Sequence, residues 1–86
     1  MPTISSFYGI LIRMYYDEHG PPHFHVEYQD YSASIDIESL EVRVGNLPRR
    51  ALNLVLDWAE LHQDELRVNW GRIEKGEQLA AIRPLE

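Results

Sequence analysis

Cysteine is absent from the 86-residue chain, and so are long apolar runs. The first absence excludes a disulfide framework, a zinc finger and a catalytic thiol. The second argues against a membrane-spanning helix, which needs ~18–20 apolar residues, and the first six residues lack the features of a signal peptide. We therefore expect a cytoplasmic protein. A chain of this length supports one modest core, which predicts a single domain over residues 1–86.

Positive charge is also scarce. Eight lysines and arginines stand against fourteen acidic residues, which gives a formal net charge of −6. A protein that binds nucleic acid through bulk electrostatics usually presents a basic face, so this charge argues against that class. Seven of the eight cations are arginine, and the planar guanidinium can still form a local anion site. The five glycines are scattered along the sequence and form no phosphate-binding loop.

The first half of the chain has the two-residue period of β-strands. It predicts four strands, over residues 10–16, 23–29, 32–37 and 40–44. Gly20, Pro21 and Pro22 end the first of them. Because the connections between successive strands are short, we expect an antiparallel meander.

The second half has the 3.6-residue period of a helix. It predicts one long helix over residues 48–70, with an end at residue 73 as the alternative and Asn46 as the N-cap. The expected fold is therefore α+β: a four-stranded antiparallel β-meander with one long α-helix packed on its apolar face.

The predicted helix is apolar over a wider arc than one contact face needs. Leu54, Leu61 and Val68 form a stripe beyond the residues that face the sheet. This stripe requires a second surface, which is either the C-terminal tail, residues 76–86, or another chain. A homodimer through the helix is the simplest form of the second alternative.

Strand alternation assigns side chains to the two faces of the sheet. The face expected under the helix is apolar and consists of Ile10, Ile12, Met14, Tyr16, Phe24, Val26, Tyr28, Ala33, Ile35, Ile37, Val42 and Val44. The other face is polar and consists of Arg13, Tyr15, His23, His25, Glu27, Ser32, Ser34, Asp36, Glu41 and Arg43. Groups able to bind ligands or transfer protons are thus expected on the face away from the helix.

Two histidines and a glutamate stand in line on this polar face. His23, His25 and Glu27 are spaced at i, i+2 and i+4, so their side chains point to one side of a strand. Two imidazoles and a carboxylate can form a facial triad for a divalent transition metal, with His19 of the preceding turn as a further ligand. We expect all three strand residues to be at least partly accessible to solvent.

The same histidines have two other interpretations. Without a metal, His23 and His25 are candidates for general acid–base catalysis near neutral pH, supported by Arg13 and Tyr15. Alternatively they are structural, paired with carboxylates on a solvated sheet face, and the protein needs no cofactor.

Three further groups of residues are interpreted as structural. His62 lies on the apolar face of the predicted helix and is a core or interface histidine rather than a fourth metal ligand. Asp17 and Glu18 are expected to be solvated turn residues. Trp58 and Trp70 are expected to anchor the core or an interface.

Several segments resemble a known family. They are Phe7-Tyr8-Gly9-Ile10, Pro21-Pro22-His23-Phe24-His25-Val26, Gly45-Asn46-Leu47-Pro48 and Leu56-Asp57-Trp58-Ala59. The chain resembles the small bacterial proteins grouped as domain of unknown function 4160. The resemblance implies a short bacterial protein that is often encoded beside a second small protein, in a pair of the toxin–antitoxin type.

Two functions follow as hypotheses. The first is a protein-binding or regulatory component of such a two-gene cassette, working through the apolar stripe of the helix. The second is a small hydrolase, either ribonuclease-like with histidines as acid and base or metal-dependent, centred on His23 and His25. A concavity lined by Arg13, Arg43, His23 and His25 together would favour the hydrolase hypothesis, whereas a flat face or one covered by carboxylates would count against it.

Overall fold

The computed structural model describes residues 2–86 and consists of an antiparallel sheet followed by two helices. The α+β class and the antiparallel sheet are therefore confirmed. The elements are β1 (Thr3–Phe7), β2 (Ile10–Arg13), β3 (His23–Tyr28), β4 (Tyr31–Asp36), β5 (Val42–Asn46), α1 (Arg49–Leu61) and α2 (Gln63–Lys75). Within residues 2–86, neither helix has the length and apolar character that crossing a membrane requires.

The sheet has five strands rather than the predicted four. They pair in chain order, β1-β2-β3-β4-β5, and the additional strand is β1. Tyr8 and Gly9 join β1 to β2 with positive φ angles of 50° and 78°, as tight hairpin turns require. The sequence of β1 hides the strand, because Ile4 and Ser5 are both buried beside a register shift and interrupt the alternation.

The helical segment is broken at His62 into α1 and α2, so the prediction of one helix is wrong. His62 has φ −120° and ψ 23°, and its N–H is shared between the carbonyls of Trp58 and Ala59. Beside the break, the Gln63 amide donates to the carbonyls of Ile37 at 2.6 Å and Glu38 at 3.1 Å. These bonds attach the junction to the turn that follows β4.

The ends of the helical region also differ from the prediction. Pro48 rather than Asn46 occupies the N-cap position of α1, because Asn46 is the last residue of β5. At the other end, α2 continues to Lys75 and stops at Gly76, whose φ of 69° is the left-handed cap conformation that glycine adopts readily.

The core lies between one face of the sheet and the two helices. The buried side chains from the predicted apolar face are Ile10, Ile12, Met14, Phe24, Val26, Ala33, Ile35 and Ile37. The helices contribute Ala51, Val55, Trp58, Ala59, Leu66, Trp70 and Ile73. Trp58 and Trp70 are therefore core residues, as expected.

The last strand departs from the predicted faces. A register shift pairs Ile35 with Val42 but Ser34 with Val44, so Arg43 is an extra residue on the β5 side. Val44 consequently lies on the polar face and is 68% exposed. Tyr16, also assigned to the apolar face, lies beyond β2 and is exposed.

The C-terminal tail covers part of the helices and one edge of the sheet. The Ile82 N–H donates to the Ile4 carbonyl of β1 at 2.8 Å, and the Trp58 indole donates to the Arg83 carbonyl at 2.9 Å. Buried Asn69 of α2 bonds both the N–H and the carbonyl of Ala80. The tail thus supplies much of the second surface that the helical region needs.

Candidate metal centre

Strand β3 places His25 on the sheet face away from the helices, and His23, the first residue of the strand, lies beside it and also contacts Trp70 of α2. His25 pairs with Arg13 of β2 on one side and Ser34 of β4 on the other, so these three residues share that face. The imidazole rings of His23 and His25 are 5.2 Å apart. The predicted juxtaposition of the two histidines is therefore present.

The carboxylate beside them comes from Glu18 rather than Glu27. One oxygen of Glu18 contacts His25 Nε2, and the other lies 3.3 Å from His23 Nε2. The ligand atoms of Glu18, His23 and His25 all lie within 4.8 Å of one another. We refer to these three residues as the Glu18 triad.

Glu18 enters the triad because the β2–β3 loop folds over the polar face. Gly20 has a φ of 89° in this loop, and Pro21 and Pro22 follow it before β3 begins. The expectation that Glu18 is a solvated turn residue is therefore wrong. The sequence feature that could have indicated this contact is the turn at Gly20, because a chain reversal there brings Glu18 back toward β3.

The other predicted site residues lie around the triad. Glu27 is 3.4 Å from Arg13 in an ion pair. The Tyr15 ring meets His25 edge-on, at 4.7 Å between ring centres. His19 is exposed on the wall of the adjoining cleft.

His23 is buried, contrary to the expectation that it is open to solvent. It is only 5% exposed because Trp70 of α2 packs on it at 5.2 Å between ring centres. Its Nδ1 lies 2.9 Å from the Pro21 carbonyl. A carbonyl only accepts hydrogen bonds, so Nδ1 carries the proton and Nε2 is directed toward Glu18. This contact fixes both the tautomer and the orientation of the ring.

The pKa of the Glu18 carboxyl lies below its usual value. Partial burial alone would raise that pKa. The hydrogen bond from His25 and the charges of His25 and His23 lower it by more than burial raises it. The group is therefore a carboxylate at neutral pH, which is the form that binds a metal.

A cleft of about 580 Å³ opens beside the triad. Its walls include Tyr15 and His19 from the β2 end and loop, and Arg43 and Val44 from β5. This volume falls within the range of small-molecule sites. Three of the four residues expected around a hydrolase concavity, His23, His25 and Arg43, line this cleft. Arg13 does not line it and instead forms an ion pair with Glu27, which does.

His62 belongs to a different environment. Its Nδ1 lies 2.6 Å from Glu65, and its ring packs on Trp58 at 5.7 Å between ring centres. It is thus held at the junction between α1 and α2, consistent with a core histidine rather than a ligand of the triad.

The arrangement suits two kinds of chemistry. Two imidazoles and a carboxylate form a ligand set for a divalent transition metal. In the absence of a metal, the two imidazoles share one carboxylate, an arrangement in which one ring can accept a proton while the other donates one.

The chain belongs to the family described as Domain of unknown function (DUF4160), whose model matches residues 9–71. The matched segment contains β2 to β5, all three residues of the Glu18 triad, α1 and most of α2. Comparison of the chain with curated proteins and with solved structures gives no match.

Proposed function

We propose that the protein is a metal-dependent hydrolase whose divalent transition metal is bound by Glu18, His23 and His25. The observation that carries this proposal is the clustering of their ligand atoms within 4.8 Å. A tetrahedral ion at ~2.0–2.1 Å from each ligand brings such atoms to ~3.3 Å from one another. Small side-chain rotations therefore suffice to close the triad around an ion.

The proton on Nδ1 of His23 leaves Nε2 available as a metal ligand. Because Nδ1 donates to the Pro21 carbonyl, a neutral His23 directs the lone pair of Nε2 toward a Glu18 oxygen 3.3 Å away. Two electron-rich atoms facing each other at this distance repel unless positive charge lies between them. A metal ion supplies that charge, and a second proton on His23 is the alternative.

The cleft determines what such a metal does. With three protein ligands, an ion keeps an open position for water, and a bound divalent ion activates that water for attack near neutral pH. One side of His23 faces Trp70, and all three residues of the Glu18 triad border the cleft. Substrate therefore approaches the triad from the cleft.

Calorimetric titration with Zn²⁺, Ni²⁺ and Mn²⁺ tests the metal proposal. We expect Glu18→Gln, His23→Gln and His25→Gln each to weaken binding of the preferred ion by at least ~10-fold, since loss of a ligand or its immediate support has effects of this size. The matched controls are Glu27→Gln and His19→Gln, which make the same substitutions outside the triad.

Two results would contradict the proposal. If the wild-type protein binds none of the three ions, the proposed metal site is wrong. If Glu27→Gln loses binding and Glu18→Gln binds normally, the metal ligands are His23, His25 and Glu27, as predicted from the sequence. In the metal-free, ribonuclease-like alternative, His23→Ala and His25→Ala each lower activity by ~10²-fold without any metal requirement.

A specific observation also favours the second candidate function, a protein-binding or regulatory component of a two-gene, toxin–antitoxin-like cassette in the bacterial cytoplasm. Leu61 is 70% exposed and Val68 is 54% exposed, whereas Leu54, the third residue of the predicted stripe, is partly buried against the core. Exposed apolar side chains on a helical surface are suited to an interface with a partner protein or a second copy.

Leu61→Glu tests this second candidate. We expect the fold to be retained, because the side chain is exposed, and the mass measured by light scattering to fall from that of a dimer to that of a monomer. Asp57→Asn, one helical turn away and also exposed, is the control. A wild-type protein that is monomeric and remains so with its genomic neighbour present would contradict this function.

A further inference from the structure

Arg43 occupies an unusual position on the edge strand. It is the extra residue of the β5 register shift, between Val42 opposite Ile35 and Val44 opposite Ser34. Irregularities of this kind redirect a side chain away from simple alternation. The guanidinium extends from β5 toward the β2–β3 loop, where a Cβ atom at Gly20 would lie 4.0 Å from Arg43 Nη2.

The charge of Arg43 is not neutralised by an ion pair. Within residues 2–86, Arg13 pairs with Glu27, and Arg67 pairs with Glu38 and Asp64, but no carboxylate forms such a contact with Arg43. The carboxylate whose titration Arg43 influences is Asp36. One oxygen of Asp36 already accepts the backbone N–H groups of Glu38 and Ser39. The guanidinium of Arg43 thus retains donors for a ligand.

Arg43 and the Glu18 triad border the same cleft. A ligand that contacts both a metal at the triad and the guanidinium must present several anionic oxygens. The planar fork of arginine matches the paired oxygens of a phosphoryl group, and Ser32 and Ser34 also border the cleft. The ligand is expected to be small, because the protein's formal net charge of −6 disfavours binding of a polyanion.

We infer that the cleft binds a small phosphate ester, with one phosphoryl oxygen directed to the metal of the triad and others to Arg43. This inference rests on the proposed metal site and names its substrate class. In the hydrolysis of such an ester, the water oxygen forms a bond to phosphorus and the bond from phosphorus to the ester oxygen breaks. The alcohol leaves with one water proton, and the other proton remains on the phosphate.

The experiment uses the full chain, Co²⁺ as the metal and phenyl phosphate as the probe. Co²⁺ is titrated first, and phenyl phosphate is then added while calorimetry and the visible absorption of cobalt are followed. We expect Arg43→Gln to leave Co²⁺ affinity within about twofold and to weaken phenyl phosphate binding by at least ~10-fold, because a charge-assisted contact is lost. Arg49→Gln, which removes an exposed arginine at the start of α1, should leave both affinities unchanged.

The possible failures are distinguishable. If Co²⁺ does not bind in the first titration, the metal site fails and the phosphate inference fails with it. If Co²⁺ binds but Arg43→Gln binds phenyl phosphate as the wild type does, the inference is overturned and the metal site stands. If benzoate binds as tightly as phenyl phosphate, the cleft recognises a carboxylate as well as a phosphoryl group, and the inference of a phosphate ester is overturned. Tighter binding of a sixteen-nucleotide RNA would overturn the small ester in favour of a polynucleotide.

Discussion

The two edges of the sheet are built differently. Strand β1 buries Ile4 and Phe7, and the tail bonds to it through Ile82, so this edge is closed. Strand β5 is exposed along its whole length and carries Arg43 beside the cleft. The closed edge belongs to the core, whereas the open edge contributes a wall of the candidate site. Ligand-binding elements are commonly less buried and less stable than the core elements that support them.

Shortening Ile82 should give the largest effect, because it acts on the closed edge. Ile82 is 4% exposed and packs in the core, so we expect Ile82→Ala to lower the free energy of unfolding by about 2–5 kcal/mol. Val44→Ala on the open edge should change it by less than about 0.5 kcal/mol. Urea denaturation measures both. Equal losses for the two variants would show that the edges contribute alike.

Gly45 provides the next largest effect, and it lies on the open edge. Its φ is 81°, and a Cβ atom there would lie 2.2 Å from the Ser32 carbonyl oxygen of β4. Gly45→Ala must therefore displace β5, at a cost of about 1–3 kcal/mol, and should weaken ligand binding in the cleft.

Gly71→Ala is the matched control for Gly45→Ala. Gly71 lies inside α2 with nothing within 4 Å of the position of a Cβ atom. The same substitution there should raise the free energy of unfolding by about 0.5–1 kcal/mol, because alanine favours a helix over glycine. Calorimetric unfolding of both variants measures the contrast. Stabilisation by Gly45→Ala would contradict the close approach of β5 to β4.

A smaller effect is expected from pH at the turn before β5. The pKa of Asp36 lies below its usual value, chiefly because the Ser39 backbone N–H bonds to it, with further help from Glu38 and Arg43. A lowered pKa means that the stabilisation is present above about pH 4, the ordinary range of aspartate, and is lost as pH falls through the native value.

Asp36→Asn tests this contribution, because the amide oxygen can still accept the backbone hydrogen bonds without titrating. We expect the melting temperature of the variant to fall less than that of the wild type between pH 5 and pH 2.5. Parallel curves for the two proteins would show that the turn does not depend on the Asp36 charge.

The sequence predicted the central strands more reliably than the edges. Strands β3 and β4 alternate cleanly, and their apolar residues Phe24, Val26 and Ile35 are buried as expected. At both edges a register shift breaks the alternation. For this reason the sequence pattern did not predict β1, and it assigned Val44 to the wrong face of the sheet. Pairing with only one neighbour leaves an edge strand freer to adopt such irregularities.

The helix break had a different cause. Buried positions continue at helical spacing from Val55 and Ala59 to Leu66 and Trp70, on both sides of His62. The apolar pattern therefore contains no sign of an interruption. The break is instead accompanied by hydrogen bonds from Gln63 to the turn that follows β4, which are long-range contacts that a local pattern does not encode.

The candidate site was predicted in part for a similar reason. Strand spacing correctly placed His23 and His25 together, because alternation is a local property. Selection of Glu18 over Glu27 depends on how the β2–β3 loop folds and on the ion pair between Glu27 and Arg13. Neither is determined by spacing within one strand.

The contact between His23 and Trp70 gives the protein an intrinsic optical probe. The indole of Trp70 packs directly on the imidazole of His23, whereas Trp58 packs against Phe7 and Phe24 in the core. Ions with partly filled d shells, such as Ni²⁺ and Co²⁺, quench indole fluorescence at short range. Emission from Trp70 should therefore report occupancy of the triad without any label, and Trp70→Phe should remove that signal.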